Sequence, residues 1–175
     1  MGLLKEAAPS LSRVAVPFDP ETANSVAFLR VIEAVAPSLG VRVTSARLHD
    51  GVGIEASIAK FASERDGGLI VTSHPTLAAN RGSIIALAAR YRLPAIYPFR
   101  YYAVEGGLMT YGPGQTDQWR GAARYVDRIF KGEKPAELPV LAPTKYELVI
   151  NMKTAKAIGL AITPALPLRA DEVIE

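Results

Sequence analysis

The residues best equipped for chemistry are few and scattered. The histidines are His49 and His74, and the chain has no cysteine. A disulfide framework, a thiolate metal site and a thiol nucleophile are therefore excluded. No carboxylate stands at helical ligand spacing around either histidine, so His49-Asp50 makes a poor metal dyad and no metal is expected. Ser73 beside His74 lacks the small-residue flanks that expose a catalytic serine on a sharp turn. Gly51-Val52-Gly53-Ile54-Glu55-Ala56 matches the dinucleotide fingerprint with alanine in the last place. The next strand, however, ends in Thr72-Ser73-His74, with no acid to hold a ribose, so a glycine turn N-capped by Asp50 is the plainer reading. Arg120, Arg124 and Arg128 recur every four residues and could meet phosphates, but Asp117 and Asp127 dilute them and a solvated helix face accounts for the pattern. No set of residues is committed to catalysis. The chain reads as a binder and not an enzyme, with no cofactor and no nucleic-acid partner.

The loop Tyr97-Pro98-Phe99-Arg100-Tyr101-Tyr102 is more suggestive. Aromatic rings can stack on a flat ligand, and an arginine can meet a carboxylate through paired hydrogen bonds. A rim of tyrosines covering the core explains the segment as well. The loop follows directly on a strand, and in open α/β sheets ligands bind beyond the carboxyl ends of the strands. Pro17-Phe18-Asp19-Pro20, Ser73-His74-Pro75 and Tyr111-Gly112-Pro113-Gly114 follow other strands to the same edge. A small-molecule cleft with apolar walls and a few polar anchors is expected there. Its candidate residues are Phe18, Asp19, Ser73, His74, Tyr97, Phe99, Arg100 and Tyr111. Arg100 would anchor a carboxylate, the aromatics would form walls, and Asp19 and Ser73 would be polar anchors.

The elements that must position these residues alternate with near-constant spacing. Strands begin near Arg13, Val41, Gly68 and Pro94, at intervals of 28, 27 and 26 residues. That is room for a strand, a crossover helix and two short loops, which predicts parallel strands with right-handed connections. The helices between them are expected from about Asp19 to Ser38, with Asp19 as N-cap, from Ile54 to Arg65, and from Thr76 to Arg92. Beyond Arg100 the pattern predicts a strand over Gly106–Gly112, a helix over Gln115–Lys131, a proline-rich extended connector over Lys134–Pro143 and a strand over Tyr146–Ile150. A short helix over Lys153–Ile158, capped by Asn151 and Gly159, and an acidic tail complete the reading. The expected fold is α/β, a three-layer α/β/α arrangement around a doubly wound, mainly parallel sheet. One domain spans 1–175, with a ligand-binding core over 1–114, a crossover helix over 115–133 and the connector, last strand, short helix and tail over 134–175.

Composition agrees with one ordinary globular domain. The 175 residues are 49% hydrophobic and 21% charged, with 14 glycines and 13 prolines, far from a disordered chain. The net charge is +3, and Arg81 to Lys134 holds most of the excess, nine basic residues against four acidic. That balance permits anion binding without requiring it. The apolar runs are too short to cross a bilayer as a helix, and Met1 to Pro9 lacks the basic start and apolar centre of a secretory signal.

Several segments together carry a resemblance. They are Leu4-Lys5-Glu6-Ala7-Ala8-Pro9 with Ser12-Arg13-Val14-Ala15-Val16, then Arg92-Leu93-Pro94-Ala95-Ile96-Tyr97, Gly106 to Gly112 and Tyr125 to Gly132. The most distinctive are Pro143-Thr144-Lys145-Tyr146-Glu147-Leu148-Val149-Ile150-Asn151-Met152-Lys153 through Leu160, and the closing Arg169-Ala170-Asp171-Glu172-Val173-Ile174-Glu175. With these the chain resembles the ABC transporter substrate-binding proteins of the tryptophan and tyrosine binding-protein-like family, which have the type I periplasmic binding fold. The resemblance implies a lobe that holds an aromatic or other small amino-acid-like ligand and hands it to a membrane permease, in the periplasm.

Members of that family carry a signal peptide and a first lobe ahead of the region resembled here, so the chain is expected to correspond to the second lobe. Two lobes close on a ligand like a hinge. The resemblance also implies that the Trp119 helix crosses back to complete the first lobe. Lacking that lobe, its stripe of Trp119, Val126, Ile129 and Phe130 is expected to pack against a second copy in a homodimer. Two rival readings stay open on the sequence: a truncated domain that only dimerises, and a nucleotide-dependent enzyme using the Gly51 turn.

Overall fold

The computed structural model of the chain describes residues 1–47 and 51–175, with side chains at every described position except Gly51 and Val52. In chain order the elements are α1 (Gly2–Ala7), β1 (Arg13–Phe18), α2 (Ala23–Val35), β2 (Arg42–Arg47), α3 (Gly51–Ala62), β3 (Gly67–Ile70), α4 (Pro75–Ala79), α5 (Arg81–Arg90), β4 (Ala95–Tyr97), α6 (Arg100–Val104), β5 (Met109–Pro113), α7 (Gln115–Phe130), β6 (Tyr146–Asn151), α8 (Met152–Ala157) and β7 (Glu172–Ile174). The strands form one sheet in the order β2-β1-β3-β4-β5-β6-β7. Every neighbouring pair is parallel except β5 and β6.

The expected α/β/α layers follow from strand alternation. Val14, Val16, Ile70, Ile96, Met109 and Ile150 point to one face, where they pack on the apolar sides of α1, α2 and α8. Ala15, Leu69, Val71, Ala95 and Tyr97 point to the other and meet Ile54, Ile58, Leu77, Ile84 and Tyr102 from α3 to α6. Both faces are covered, so the central strands read as continuous apolar runs. Strand β2 closes one edge with no buried residue and with exposed arginines at both ends, which discourages pairing with another sheet.

Arg13 ties the amino edge together. It is buried at the first position of β1, stacks 4.3 Å from the Phe61 ring centroid, and donates to the carbonyls of Phe61, Glu64 and Arg65 at 2.9, 2.6 and 3.0 Å. These carbonyls lie at and beyond the carboxyl end of α3, where the helix has no partners of its own for them. On the same edge but four strands along, at the end of antiparallel β6, Asn151 caps α8 by accepting from the Thr154 amide at 3.0 Å and also donates to the Ala103 carbonyl at 2.9 Å, as its place before that helix predicts.

Four helices depart from the sequence reading, one of them only in its bounds: the helix expected from Ile54 to Arg65 runs over Gly51–Ala62. The first crossover helix starts at Ala23 with Thr22 as N-cap, not at Asp19, because the Asp19 carboxylate closes its own turn by accepting from the Glu21 amide and the Thr22 hydroxyl. The helix expected from Thr76 to Arg92 is broken at Asn80, whose side-chain amide donates to the Thr76 carbonyl at 2.9 Å, yet Leu77, Ile84, Ile85 and Ala88 still face the sheet. The segment after Phe99, expected as a loop, winds into α6. The helix α1 and the strand β7 were not foreseen.

Helix α7 stands apart from both layers. It leaves the sheet after β5, and the chain returns through an exposed connector to β6, with none of the helix's residues buried. Its contact with the connector includes a hydrogen bond from the Tyr125 hydroxyl to the Pro139 carbonyl. The stripe of Trp119, Val126, Ile129 and Phe130 faces outward, Trp119 being 74% and Phe130 86% exposed.

Candidate functional site

The carboxyl ends of the parallel strands gather two clusters. The first lies at the point where the sheet order reverses, between β1 and β3. Asp19 follows β1 and His74 follows β3, and His74 Nε2 is 3.3 Å from Asp19 Oδ2. His74 is the N-cap of α4, its Nδ1 accepting from the Thr76 amide at 3.3 Å, so the ring proton is assigned to Nε2 and directed at the carboxylate. Thr22 donates its hydroxyl to the same carboxylate oxygen at 2.8 Å, and the Asp19 amide donates to Ser25 Oγ at 2.8 Å. The Glu21 amide first, then the Thr22 hydroxyl, hold the Asp19 carboxyl below its usual range, with His74 adding to the effect. Two loops from different strands are thereby pinned to each other. Ser73 stands exposed beside them.

The second cluster is a pocket of about 210 Å³ at the ends of β4 and β5, walled by Pro98, Arg100, Tyr101, Thr110, Gly112 and Glu147 and bordered by Gln115 and Thr116 of the first turn of α7. Gly112 has to be glycine. A Cβ there would fall 1.8 Å from the Pro98 carbonyl oxygen, so the two strand ends approach as closely as they do only because that atom is missing. The pocket combines opposite charges. Arg100 donates Nε and Nη2 to the two oxygens of Glu172 at 2.6 and 2.7 Å, across from the edge strand β7. The guanidinium lowers the Glu172 pKa, and the carboxylate raises that of Arg100. Glu147 opens onto the same space, with Lys145 Nζ 3.9 Å from its Oε1. Helix α7 begins at the pocket without a side-chain cap, leaving first-turn amides that favour negative charge.

The sequence-expected residues divide accordingly. Asp19 and His74 meet, with Ser73 beside them. Phe99 and Arg100 come to the end of β4, where Phe99 is half-buried and stacks on Tyr101 at 5.6 Å. Tyr97 is 2% exposed and stacks on Tyr102 at 5.0 Å inside the core, so it supports the rim from beneath, and burial raises the pKa of its hydroxyl. Phe18 is likewise in the core, on the α1 and α2 side. Tyr111 alternates away from Thr110 and Gly112 and stacks on Tyr146 at 5.6 Å, which puts it on the face opposite the pocket. His49 and Asp50 lie outside the described residues, as does any capping of the Gly51 turn by Asp50.

Sequence reasoning missed Tyr101, Thr110, Glu147, Glu172 and the start of α7. Tyr101 was within the quoted loop, and Thr110 was available from strand alternation. Glu147 reaches the pocket only because β6 returns antiparallel, with Glu147 opposite Gly112 in register, a pairing no local pattern announces. Among the described residues no group of three or more histidines, cysteines or carboxylates could hold a metal ion, and no helix is long and apolar enough to cross a membrane.

Comparison with known proteins gives a consistent picture. The sequence profile described as "ABC transporter substrate binding protein" matches residues 1–174. No curated protein matches significantly. Among solved structures, a conserved domain protein from Vibrio cholerae superposes with a TM-score of 0.89 at 23% identity, over 98% of this chain and 58% of that one. An ABC domain from Streptococcus pneumonia in complex with L-Trp gives 0.89 at 22%, over 99% and 58%. The ligand-free, open structure of a substrate-binding protein with adhesive properties from Clostridium difficile gives 0.73 at 18%, over 99% and 58%. At these identities the likeness establishes the fold, and the chain spans 58% of the length of each of the three.

Proposed function

Because the chain belongs to the ABC transporter substrate-binding protein family, we propose that it is a solute-binding lobe, without catalytic activity, that takes a small amino-acid-like ligand at the carboxyl edge of its sheet and presents it to an ABC permease outside the cytoplasmic membrane. The observation that carries the reading is the β4–β5 pocket, where a guanidinium, a carboxylate, an uncapped helix start and an aromatic ring share about 210 Å³. A free amino acid presents the complementary groups. Its carboxylate suits Arg100 and the first turn of α7, its ammonium suits Glu147, and a flat side chain suits Tyr101 and Pro98. The Glu172 carboxylate already on Arg100 has the geometry the ligand's would adopt, so binding exchanges one carboxylate for another. An aromatic ligand is further favoured by the L-Trp bound to the structural neighbour from Streptococcus. Asp19, Ser73 and His74 form the adjoining part of the same edge.

Isothermal calorimetry of the 175-residue chain with L-tryptophan, L-tyrosine and L-phenylalanine tests this. Arg100→Ala is expected to weaken binding about tenfold or more, the worth of a charge-assisted bond. An affinity unchanged in that variant would remove the carboxylate role.

A second reading concerns α7. With Trp119, Val126, Ile129 and Phe130 turned to solvent, we propose that this helix is covered by its counterpart in a homodimer. The remaining part of a longer protein would cover the same stripe, and the oligomeric state separates the two.

A further inference from the structure

We propose that Gly114 is a positioning residue: having no side chain, it seats the Glu147 carboxylate at the pocket and so makes the lobe select α-amino acids over the same acids without their amino group. The inference rests on the ligand reading above and deepens it by naming what sets the ligand class.

In the antiparallel pair of β5 and β6, Gly112 lies opposite Glu147 and Pro113 opposite Tyr146. The Gly114 amide continues that pairing by donating to the Lys145 carbonyl at 3.2 Å. Gly112 and Gly114 therefore share one face of the pair, the face on which the Glu147 side chain lies. The carboxyl group of Glu147 rests on Gly114. A Cβ there would fall 2.7 Å from Glu147 Oε1 and 3.0 Å from its Cδ, and the three atoms nearest that missing Cβ all belong to Glu147.

The backbone gives no other reason for glycine. At φ −60° and ψ 111°, Gly114 occupies the extended region open to every residue. It is also the N-cap of α7, a place where serine, asparagine or aspartate would hold the free amides better. Gly112 is imposed by the backbone of Pro98, whereas Gly114 answers only to a side chain that itself opens onto the pocket. The charge so placed is not spent on a close ion pair. Lys145 Nζ stands 3.9 Å from Glu147 Oε1 and 3.8 Å from Asp117 Oδ2, beyond hydrogen-bond length from either. A ligand ammonium can donate to this carboxylate, and a carboxylate already resting against backbone has less freedom to lose when it does. An acid without the amino group leaves Glu147 unanswered and brings a second negative charge into the same space.

The test is calorimetry of the 175-residue chain with L-tryptophan and L-phenylalanine, each beside its counterpart lacking the amino group, indole-3-propionate and 3-phenylpropionate. The parent should prefer the amino acids about tenfold or more, the worth of a hydrogen bond between charged groups. Gly114→Ala pushes the end of a flexible side chain from its seat and should bring that preference close to parity. Helix α7 lies outside both layers, so the variant should melt within about 4 °C of the parent. Gly114→Ser adds the same Cβ while able to cap α7, and should lose the preference too. Glu147→Gln should lose it as well, and Gly114→Ala should then take nothing further from it, the mark of a residue that acts through another. An unchanged preference in both Gly114 variants overturns the inference alone. So does an equal loss for acid and amino acid, which puts the effect at the shared carboxylate, or a further loss of preference in the Glu147→Gln background. A parent that binds both classes alike removes the ammonium role of Glu147 and this inference with it, while Arg100 keeps its role. A parent that binds neither removes the ligand reading as a whole.

Discussion

Replacing Gly112 by alanine probes the pocket and the sheet together. A Cβ at Gly112 would lie 1.8 Å from the Pro98 carbonyl oxygen and 2.9 Å from its carbonyl carbon. The first distance is some 1.2 Å short of the 3.0 Å below which real Cβ contacts are essentially never seen. Nothing flexible can absorb that shift. The obstructing atoms are backbone, the proline ring holds its own φ, and Gly112 is fixed from the other side by pairing with Glu147. The strand ends must part, at a cost of about 1–3 kcal/mol, the usual range for forcing an extra carbon into a packed site. For a chain of this size that lowers the melting temperature by about 2–4 °C per kcal/mol. Gly82→Ala is the matched control. A Cβ there meets nothing within 4 Å, and the residue lies in the first turn of α5, so the change should be neutral or stabilising by up to about 1 kcal/mol. Urea unfolding followed by circular dichroism measures both. Calorimetry of Gly112→Ala with L-tryptophan should also show weaker binding, because Pro98 and Gly112 are walls of the pocket. A Gly112→Ala chain as stable as Gly82→Ala, with unimpaired binding, would refute the steric argument and the placement of the site.

Two further outcomes concern charge and association. The Glu172 pKa is lowered below 4.5 by its hydrogen bonds to Arg100, so its contribution to stability is present in full above that value and fades as the pH falls below it through the folded-state pKa. The stability difference between the parent chain and Glu172→Gln, read from urea midpoints, should therefore shrink on acidification below 4.5, and a constant difference would disprove the linkage. Sedimentation velocity at micromolar concentration should show a dimer that Phe130→Asp converts to monomer, and a parent chain that is already monomeric rules out the α7 contact.

Much of the scaffold was legible because it is repeated. The runs at Arg13, Val41, Gly68 and Pro94 begin within a residue of the observed strands, since apolar strands covered on both faces announce themselves locally. The same double coverage hid which aromatics reach the surface. Tyr97 and Phe18 were expected on the rim because they end strands, yet in a sheet with helices on both sides either direction of a strand side chain leads into a core. Helix α6 went unseen because its five residues hold two tyrosines and a valine, poor helix formers that are held by packing against β5 and β6. Strand β7 is three residues long and owes its existence to β6, and Glu172 meets Arg100 from 72 residues away. Local pattern therefore located the edge where a ligand should sit, while the residues that shape the pocket came from segments joined only in the folded chain.

The way the chain leaves and re-enters the sheet around α7 bears on how the lobe could be rebuilt. Pro113 and Tyr146 are register partners, and the Gly114 amide donates to the Lys145 carbonyl at 3.2 Å, so the two ends of the intervening excursion already stand one strand spacing apart. A tight turn such as Asn-Gly is all the geometry needed to join them as a hairpin. Helix and connector are thus topologically a graft on a sheet that closes without them, and excising them leaves β5 and β6 with a shorter loop to order rather than a broken strand pair.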